Sequence, residues 1–179
     1  QVNGSLARPV TVASGARLGG TGTLGGIVAH AGATIAPGNS IGTLNVAGDI
    51  VFGAGSAYEV ETDPAGHADK IVTTGTATLQ GGTVHVLAGS GNYAPSTTYT
   101  ILTANGGRSG QFENIDSNLA FLTPTLGYGA NDVTLTLTRN DISFADVGGT
   151  PNQKAVGVGV ESLGLGNAIW NAVVQFDVD

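Results

Sequence analysis

A degenerate internal repeat constrains the fold of this chain more than any other feature of its sequence. Four short segments share the order glycine, small residue, any residue and mostly apolar residue, and they begin at Gly15, Gly32, Gly55 and Gly75. These starts lie about 17, 23 and 20 residues apart, within the spacing of solenoid repeats. Because each repeat of a solenoid buries its apolar side against the next, the pattern predicts a stack of coils.

Short alternating runs between these segments predict that the coils consist of β-strands. Residues 10–12 and 83–87 alternate polar with apolar side chains, and Gly-Gly pairs bound such runs. Glycine accounts for 30 of the 179 residues, which supplies the tight corners that a β coil needs. At about 20 residues per coil, we expect residues 1–92 to form about four β-helix coils.

The chain after residue 92 predicts a β-hairpin cap over residues 93–139. Asn105-Gly106 is a hairpin turn signal, and we expect residues 98–103 and 111–115 to be the strands on either side of it. A cap of this kind hides the open edge at the end of a solenoid. The expected folding core of the cap consists of Tyr99, Leu102, Phe112, Phe121, Leu122 and Leu135.

The sequence of residues 140–179 predicts a short helical linker. Thr150, Pro151 and Gln153 combine a helix N-cap, a proline at the first helical position and a capping-box glutamine. Either Gly164 or Gly166 is expected to end this helix. A second short helix after Asn167 is expected to carry the apolar residues Ile169, Trp170, Val173 and Val174. Because nothing remains in the chain to cover that helix, we expect its partner to have been cut away. The start at Gln1 and the absence of methionine likewise predict a processed product or an excised fragment.

Composition excludes several functional classes. The net charge is -7, and the six basic residues are scattered, which argues against nucleic-acid binding. The absence of cysteine excludes a disulfide scaffold and a thiolate metal site. No apolar run approaches the ~18 residues that span a bilayer. We expect no cofactor.

Two glycine-rich strings match binding fingerprints without the context that those fingerprints require. Residues 20–25 fit the dinucleotide-binding string, but no helix N-terminus is expected after them to receive a pyrophosphate. Residues 19–23 are similar to a calcium-binding nonapeptide, but Leu24 stands at the position of the ligand aspartate. Both strings are interpreted as corners of β coils.

Residues 38–42 fit the nucleophile elbow of serine hydrolases. Asp69 and His85 follow in the order of a catalytic triad. The elbow requires a helix after it, and none is expected before Thr150, so we interpret Ser40 as a turn residue. The three histidines are too far apart in sequence to indicate a site, namely His30, His67 and His85.

Three acids alternate along one predicted strand. Glu59, Glu61 and Asp63 would share one face of that strand, an arrangement that also suits carboxylate-based cleavage of polysaccharides. Lys70 is the only basic residue nearby in the sequence. A solvated outer face is the simpler interpretation.

The order of motifs along the chain resembles the C-terminal passenger region of bacterial type V autotransporters. Each motif is weak alone, but together they extend over nearly the whole chain. The matching segments are residues 19–24, 36–44, 56–61, 69–72, 74–77, 99–102, 117–122, 135–141 and 150–153.

This resemblance implies a right-handed parallel β-helix that is exported through the periplasm and displayed at the cell surface. It implies that residues 53–138 form an autochaperone region, which seeds the folding of N-terminal passenger coils. Residues 140–179 would lead into an outer-membrane β-barrel of the same polypeptide, so the expected partners are that barrel and the passenger coils. We expect this segment not to be an enzyme.

Two other functions stay open. The coils carry exposed Thr and Asn side chains that suit an adhesin of a virulence-associated passenger, binding host surfaces or glycans. Alternatively, the acids around Glu59 would serve a polysaccharide lyase or hydrolase built on a β-helix.

Overall fold

The computed structural model describes residues 1–91 and 93–173, and it is a parallel β-helix closed by a β-hairpin and followed by two short helices. This architecture confirms the fold class predicted from the repeat. The strands are β1 (Ser5–Val12), β2 (Arg17–Gly20), β3 (Thr23–Ala29), β4 (Thr34–Pro37), β5 (Thr43–Val46), β6 (Ile50–Phe52), β7 (Ala57–Thr62), β8 (Lys70–Thr73), β9 (Ala77–Gln80), β10 (Thr83–Ala88), β11 (Ser96–Ala104), β12 (Arg108–Gln111), β13 (Asn114–Ser117), β14 (Leu122–Tyr128) and β15 (Asp132–Arg139). The helices are α1 (Pro151–Glu161) and α2 (Ala168–Val173).

The coil strands stack in three rows of parallel strands. The first row is a separate sheet in the order β13-β10-β7-β4-β2. The second row contains β5, β8 and β11, and the third contains β6, β9 and β12. Strand β3 spans the second and third rows, because its first part pairs with β5 and its second part with β6. Equivalent positions of successive coils therefore lie directly above one another.

Three of the four repeat glycines form the corner that precedes the first row. Gly15, Gly32 and Gly55 have φ angles of 76°, 75° and 73°, a conformation that favours glycine. Gly75 instead precedes β9 in the third row. The first-row strands start 17, 23, 26 and 31 residues apart, so the coils lengthen toward the C-terminus.

The prediction of a β-hairpin around Asn105-Gly106 is wrong. After this turn the chain enters β12, which pairs in parallel with β9, and then β13, which pairs in parallel with β10. The coils thus continue through Ser117. An Asn-Gly pair specifies a tight turn but not the neighbour of the next strand, and here the parallel pairings bury Phe112 inside the coils.

The cap is the antiparallel hairpin β14–β15, and β15 also pairs antiparallel with β11. Strand β11 therefore joins the coils to the cap, since its other neighbour is the parallel strand β8. One continuous hydrophobic cluster fills the coils and the cap. In the first row it contains the aligned column Leu18, Ile35, Tyr58, Val84 and Ile115.

Helix α1 begins where the sequence predicted. The Thr150 hydroxyl accepts from the Gln153 amide at 3.3 Å, and the Gln153 side chain accepts from the Thr150 amide at 2.9 Å. Gly164 and Gly166, with φ angles of 73° and 92°, follow the helix. No helix among residues 1–91 and 93–173 is long and apolar enough to cross a membrane.

The expectation that the second helix has nothing to cover it is wrong for its largest side chain. Trp170 of α2 is buried against Phe121, Phe144 and Val160. The sequence pattern missed this contact because its partners are spread over distant parts of the chain. Val174, assigned to the same helix, lies outside the described residues.

Candidate functional site

Strand β11 holds the junction between the coils and the cap. Leu102 is fully buried and pairs with Ile71 of the preceding coil on one side and with Val133 of the cap on the other. Tyr99 lies opposite Leu135, and both side chains are buried. Two of the predicted folding-core residues, Tyr99 and Leu102, thus lie on β11, which pairs with both parts, and a third, Leu135, lies opposite Tyr99 on β15.

The Tyr99 side chain also ties the cap to a loop of the preceding coil. Its hydroxyl donates a hydrogen bond to the Asp63 carbonyl at 2.8 Å, and burial raises the pKa of this tyrosine well above its usual value. The Tyr93 hydroxyl donates a hydrogen bond at 3.1 Å to the carbonyl of Thr62, the last residue of β7 and the neighbour of Asp63. A hydroxyl that stays neutral and bonded holds the loop between β7 and β8 against the cap.

Phe112 lies inside the coils rather than in the hairpin. Its ring is 5.1 Å from Phe52 and 6.0 Å from Tyr58, between ring centroids, and the Phe52 and Tyr58 rings are 5.4 Å apart. The Tyr58 hydroxyl donates to the Ile101 carbonyl of β11. Sequence analysis did not assign Phe52 or Tyr58 to the core, although both are aromatic residues in short strands. Together the three rings fill the wide interior of the last coils.

Phe121 belongs to a second, separate cluster. Leu122 next to it is buried in the main core, but Phe121 packs against Phe144, Val160 and Trp170. The six predicted residues thus divide into five in the core of the coils and cap and one beneath the C-terminal helices. Sequence analysis missed Phe144, which lies in none of the matched segments. It also gave no role to Arg139 at the centre of this cluster, although Arg139 lies in the matched segment 135–141.

The acids of β7 line a polar cleft of about 240 Å³ on the outer face of the first row. Glu59 forms an ion pair with Arg17, and Glu61 lines the same cleft. Asp63 does not share this arrangement, because it follows the end of β7 and bonds His67 at 2.7 Å. That hydrogen bond from His67 lowers the pKa of Asp63. Of the three acids, Glu59 and Glu61 therefore line the cleft, whereas Asp63 bonds His67 beyond the end of the strand.

Asp69 is a buried carboxylate at the edge of this cleft. The amides of Gly42 and Glu61 donate to its two oxygens at 2.8 Å and 3.0 Å. Burial raises the pKa of Asp69 to about 6, although these two hydrogen bonds act in the opposite direction. The residue joins the β7–β8 loop to the preceding coil, since Gly42 lies directly before β5.

This buried carboxylate predicts a pH-dependent stability. The folded pKa of Asp69 lies above the unfolded value of about 3.9, so the folded chain binds more protons between about pH 4 and pH 6. The free energy of unfolding is expected to fall by up to about 3 kcal/mol across that interval as pH rises. Urea unfolding of the wild type and Asp69→Asn at each pH measures the effect as the difference between the two chains.

The matched control is Asp49→Asn. Thr76 donates two hydrogen bonds to the exposed Asp49 carboxylate and lowers its pKa, so Asp49 titrates below this interval. The free energy of unfolding of Asp49→Asn should therefore fall with pH as steeply as that of the wild type between about pH 4 and pH 6. The prediction would be contradicted if the free energy of unfolding changed with pH equally in the wild type and in Asp69→Asn.

The residues of the serine-hydrolase string are not joined as a catalytic triad would require. Asp69 uses both oxygens on backbone amides, as described above. His85 instead bonds Asp116 of the next coil, with 2.7 Å between Nδ1 and the nearer carboxylate oxygen. In the part of the chain that the structure describes, Ser40 lies in the turn between β4 and β5 and no helix follows it directly.

Comparison with known proteins identifies relatives among extracellular proteins. No family model matches the chain. Two curated proteins of Serratia marcescens, both named extracellular serine protease, are 41% and 34% identical to it over 171 residues. The match extends over 90% of this chain but only 16% of each relative. The chain is therefore similar to one segment of these secreted proteins.

Proposed function

We propose that this chain is the C-terminal passenger region of an autotransporter-type extracellular protein and that residues 53–138 seed the folding of its β-helix. The names of the two relatives support a location outside the cell. The motif order of residues 19–153 supports the autotransporter assignment. Its partners would be N-terminal passenger coils and an outer-membrane β-barrel of the same polypeptide.

The observation that carries this proposal is the difference between the two ends of the solenoid. At the N-terminal end, β1 has five successive exposed residues from Ser5 to Pro9, whereas β7 buries every second residue. Among the described strands β1 pairs only with β3, so its other edge is open to a further parallel strand. At the C-terminal end, the core is closed by the cap and by Phe112. The closed end is thus suited to fold alone and the open end to receive coils.

Local pairing supports the order of folding from the cap. Strands β14 and β15 are antiparallel neighbours joined by residues 129–131 only, so their contacts are close in sequence. The parallel coil pairs instead join residues that lie a whole coil apart. Short loops close at a smaller entropic cost, and proteins with local contacts fold faster. The turn is fixed to the coil, because the Asn131 side chain donates to the Ala104 carbonyl at 2.8 Å.

We place any protease activity of the parent protein outside the described residues of this chain. The pairing of His85 with Asp116 supports this assignment, because a triad needs the histidine to bond the aspartate of the string, and Asp69 instead accepts from the Gly42 and Glu61 amides. In this proposal the segment contributes folding and display, and the rest of the passenger contributes chemistry.

The test is performed in the full-length parent protein on the cell surface. Deletion of residues 53–138 is expected to leave insertion of the barrel intact and to make the displayed passenger sensitive to protease. A deletion also shortens the solenoid, so two substitutions that keep its length, Leu102→Ala and Leu87→Ala, are compared as well. Only Leu102→Ala is expected to reduce the amount of protease-resistant passenger. Normal amounts of folded passenger in the deletion and in Leu102→Ala would refute the seeding role.

A ladder of hydroxyl groups on the cap supports a second candidate, a glycan-binding surface. Thr98, Thr136 and Thr125 lie in register across β11, β15 and β14, and the Thr98 and Thr136 hydroxyls are 2.9 Å apart. Such a row presents donors and acceptors to a sugar. Binding of the purified chain to a glycan array, lost in Thr98→Val, would favour this candidate over a purely structural role.

A further inference from the structure

The two C-terminal helices have a small hydrophobic core of their own. Phe144, Val160 and Trp170 form a cluster with Phe121 that is separate from the core of the coils and cap. Phe121 lies directly before β14 and is the only one of the four that comes from the solenoid. Few buried contacts thus join residues 140–173, here named the C-terminal clasp, to the rest of the chain. Regions with few buried contacts open at a lower free energy than the main core.

Arg139, the last residue of β15, is the central contact between the clasp and the solenoid. Its guanidinium lies 5.2 Å from the Phe121 ring, 5.2 Å from the Phe144 ring and 5.6 Å from the Trp170 ring. It donates to the Asn140 carbonyl at 2.8 Å. A planar cation that is partly withdrawn from water stacks favourably on aromatic faces, which a lysine ammonium does less well.

The end of α1 is attached to the same group. Glu161 lies 3.6 Å from the Arg139 guanidinium, and its other oxygen accepts from the Phe144 amide at 3.0 Å. One arginine therefore contacts a ring of the solenoid, a ring from the loop before α1, the end of α1 and a ring of α2. Loss of this group would release all clasp elements together.

Gly157 explains how closely α1 approaches the loop. A Cβ atom at Gly157 would lie 2.6 Å from the Phe144 carbonyl carbon and 2.6 Å from the Ala145 nitrogen. At Gly159, on the same helix, a Cβ atom would have no neighbour within 4 Å. Glycine weakens a helix, so its presence at position 157 is accounted for by this contact rather than by helix formation.

From these contacts we propose that the C-terminal clasp is a conformational device that opens as one unit, about Arg139, while the coils and cap stay folded. The closed clasp buries Phe121 and the Arg139 guanidinium, and the open clasp exposes them. The inference stands apart from the seeding function, because it concerns only the attachment of residues 140–173.

The experiment uses the single tryptophan of the chain as a reporter. Trp170 lies in the clasp, so its fluorescence follows opening, while far-UV circular dichroism follows the strands of the coils and cap. In a urea titration of the 179-residue chain, the fluorescence midpoint is expected to precede the circular dichroism midpoint. Coincident midpoints in the wild type would overturn the proposal, because a single cooperative unit unfolds in one transition.

Two matched alanine substitutions separate the contact from helix propensity. Both Gly157→Ala and Gly159→Ala favour the helix by removing a glycine. We expect Gly157→Ala to increase the equilibrium constant for opening at least about tenfold and to leave the circular dichroism midpoint unchanged, since the added methyl group meets backbone atoms. Gly159→Ala should leave or raise the fluorescence midpoint.

Arg139→Lys then tests the role of the guanidinium itself. It keeps the positive charge but loses the planar group, and it is expected to lower the fluorescence midpoint alone. Equal midpoints for Gly157→Ala, Arg139→Lys and the wild type would overturn the proposed attachment. A parallel fall of both midpoints in these variants would show one cooperative unit and would also overturn it.

Discussion

Replacement of Leu102 by alanine is expected to lower the free energy of unfolding by about 2–5 kcal/mol. The side chain is fully buried in β11 between Ile71 of the coils and Val133 of the cap. Its removal leaves a cavity at a strand that pairs with both the coils and the cap, and neighbouring strands held by hydrogen bonds relax little. Urea unfolding followed by circular dichroism measures the loss.

Leu87→Ala is the matched control for this prediction. Leu87 lies on β10 of the same coil, but its side chain points outward and is 40% exposed. The same chemical change should therefore alter the free energy of unfolding by no more than about 0.5 kcal/mol. Equal losses in the two variants would mean that burial at the junction does not determine stability.

Gly110→Ala is expected to destabilise the chain by about 2–5 kcal/mol. Gly110 has a φ of 73°, which disfavours a side chain by about 1–2 kcal/mol. Its Cβ atom would also lie 1.8 Å from the Leu79 carbonyl oxygen of the paired strand β9. The strands must separate to admit the methyl group, which adds about 1–3 kcal/mol of overpacking.

Gly15→Ala isolates the contact from the backbone conformation. Gly15 has nearly the same φ, 76°, but a Cβ atom there would have no neighbour within 4 Å. We expect this variant to lose only the conformational contribution of about 1–2 kcal/mol. If thermal or urea unfolding gives the same loss for both variants, close packing between β12 and β9 is not what requires Gly110.

The coils were predictable because the residues that specify their corners and strands lie close together in the sequence. Gly15, Gly32 and Gly55 mark corners of one row, and short alternating runs mark the strands between them. The capping box at Thr150 and Gln153 was predictable for the same reason, since its residues are three positions apart. The pairing of β12 with β9 was not predictable, because a turn dipeptide carries no information about a partner strand some thirty residues earlier.

The candidate site was predictable in its residue types but not in its grouping. Large apolar residues after residue 92 indicated a core, yet the sequence could not separate Phe121 from Leu122, which enter different clusters. The group around Arg139 was invisible for a related reason. It joins Phe121, Phe144 and Trp170 across about fifty positions, and each residue alone is ordinary.

The central claim, that the C-terminal coil and cap form first and template the coils before them, is tested most directly by pulse-labelling hydrogen exchange during refolding of the 179-residue chain. We expect amides of β14 and β15 to gain protection before those of β1–β4, because the β14–β15 hairpin closes the shortest loop. Simultaneous protection of all strands, or earlier protection of β1–β4, would contradict it.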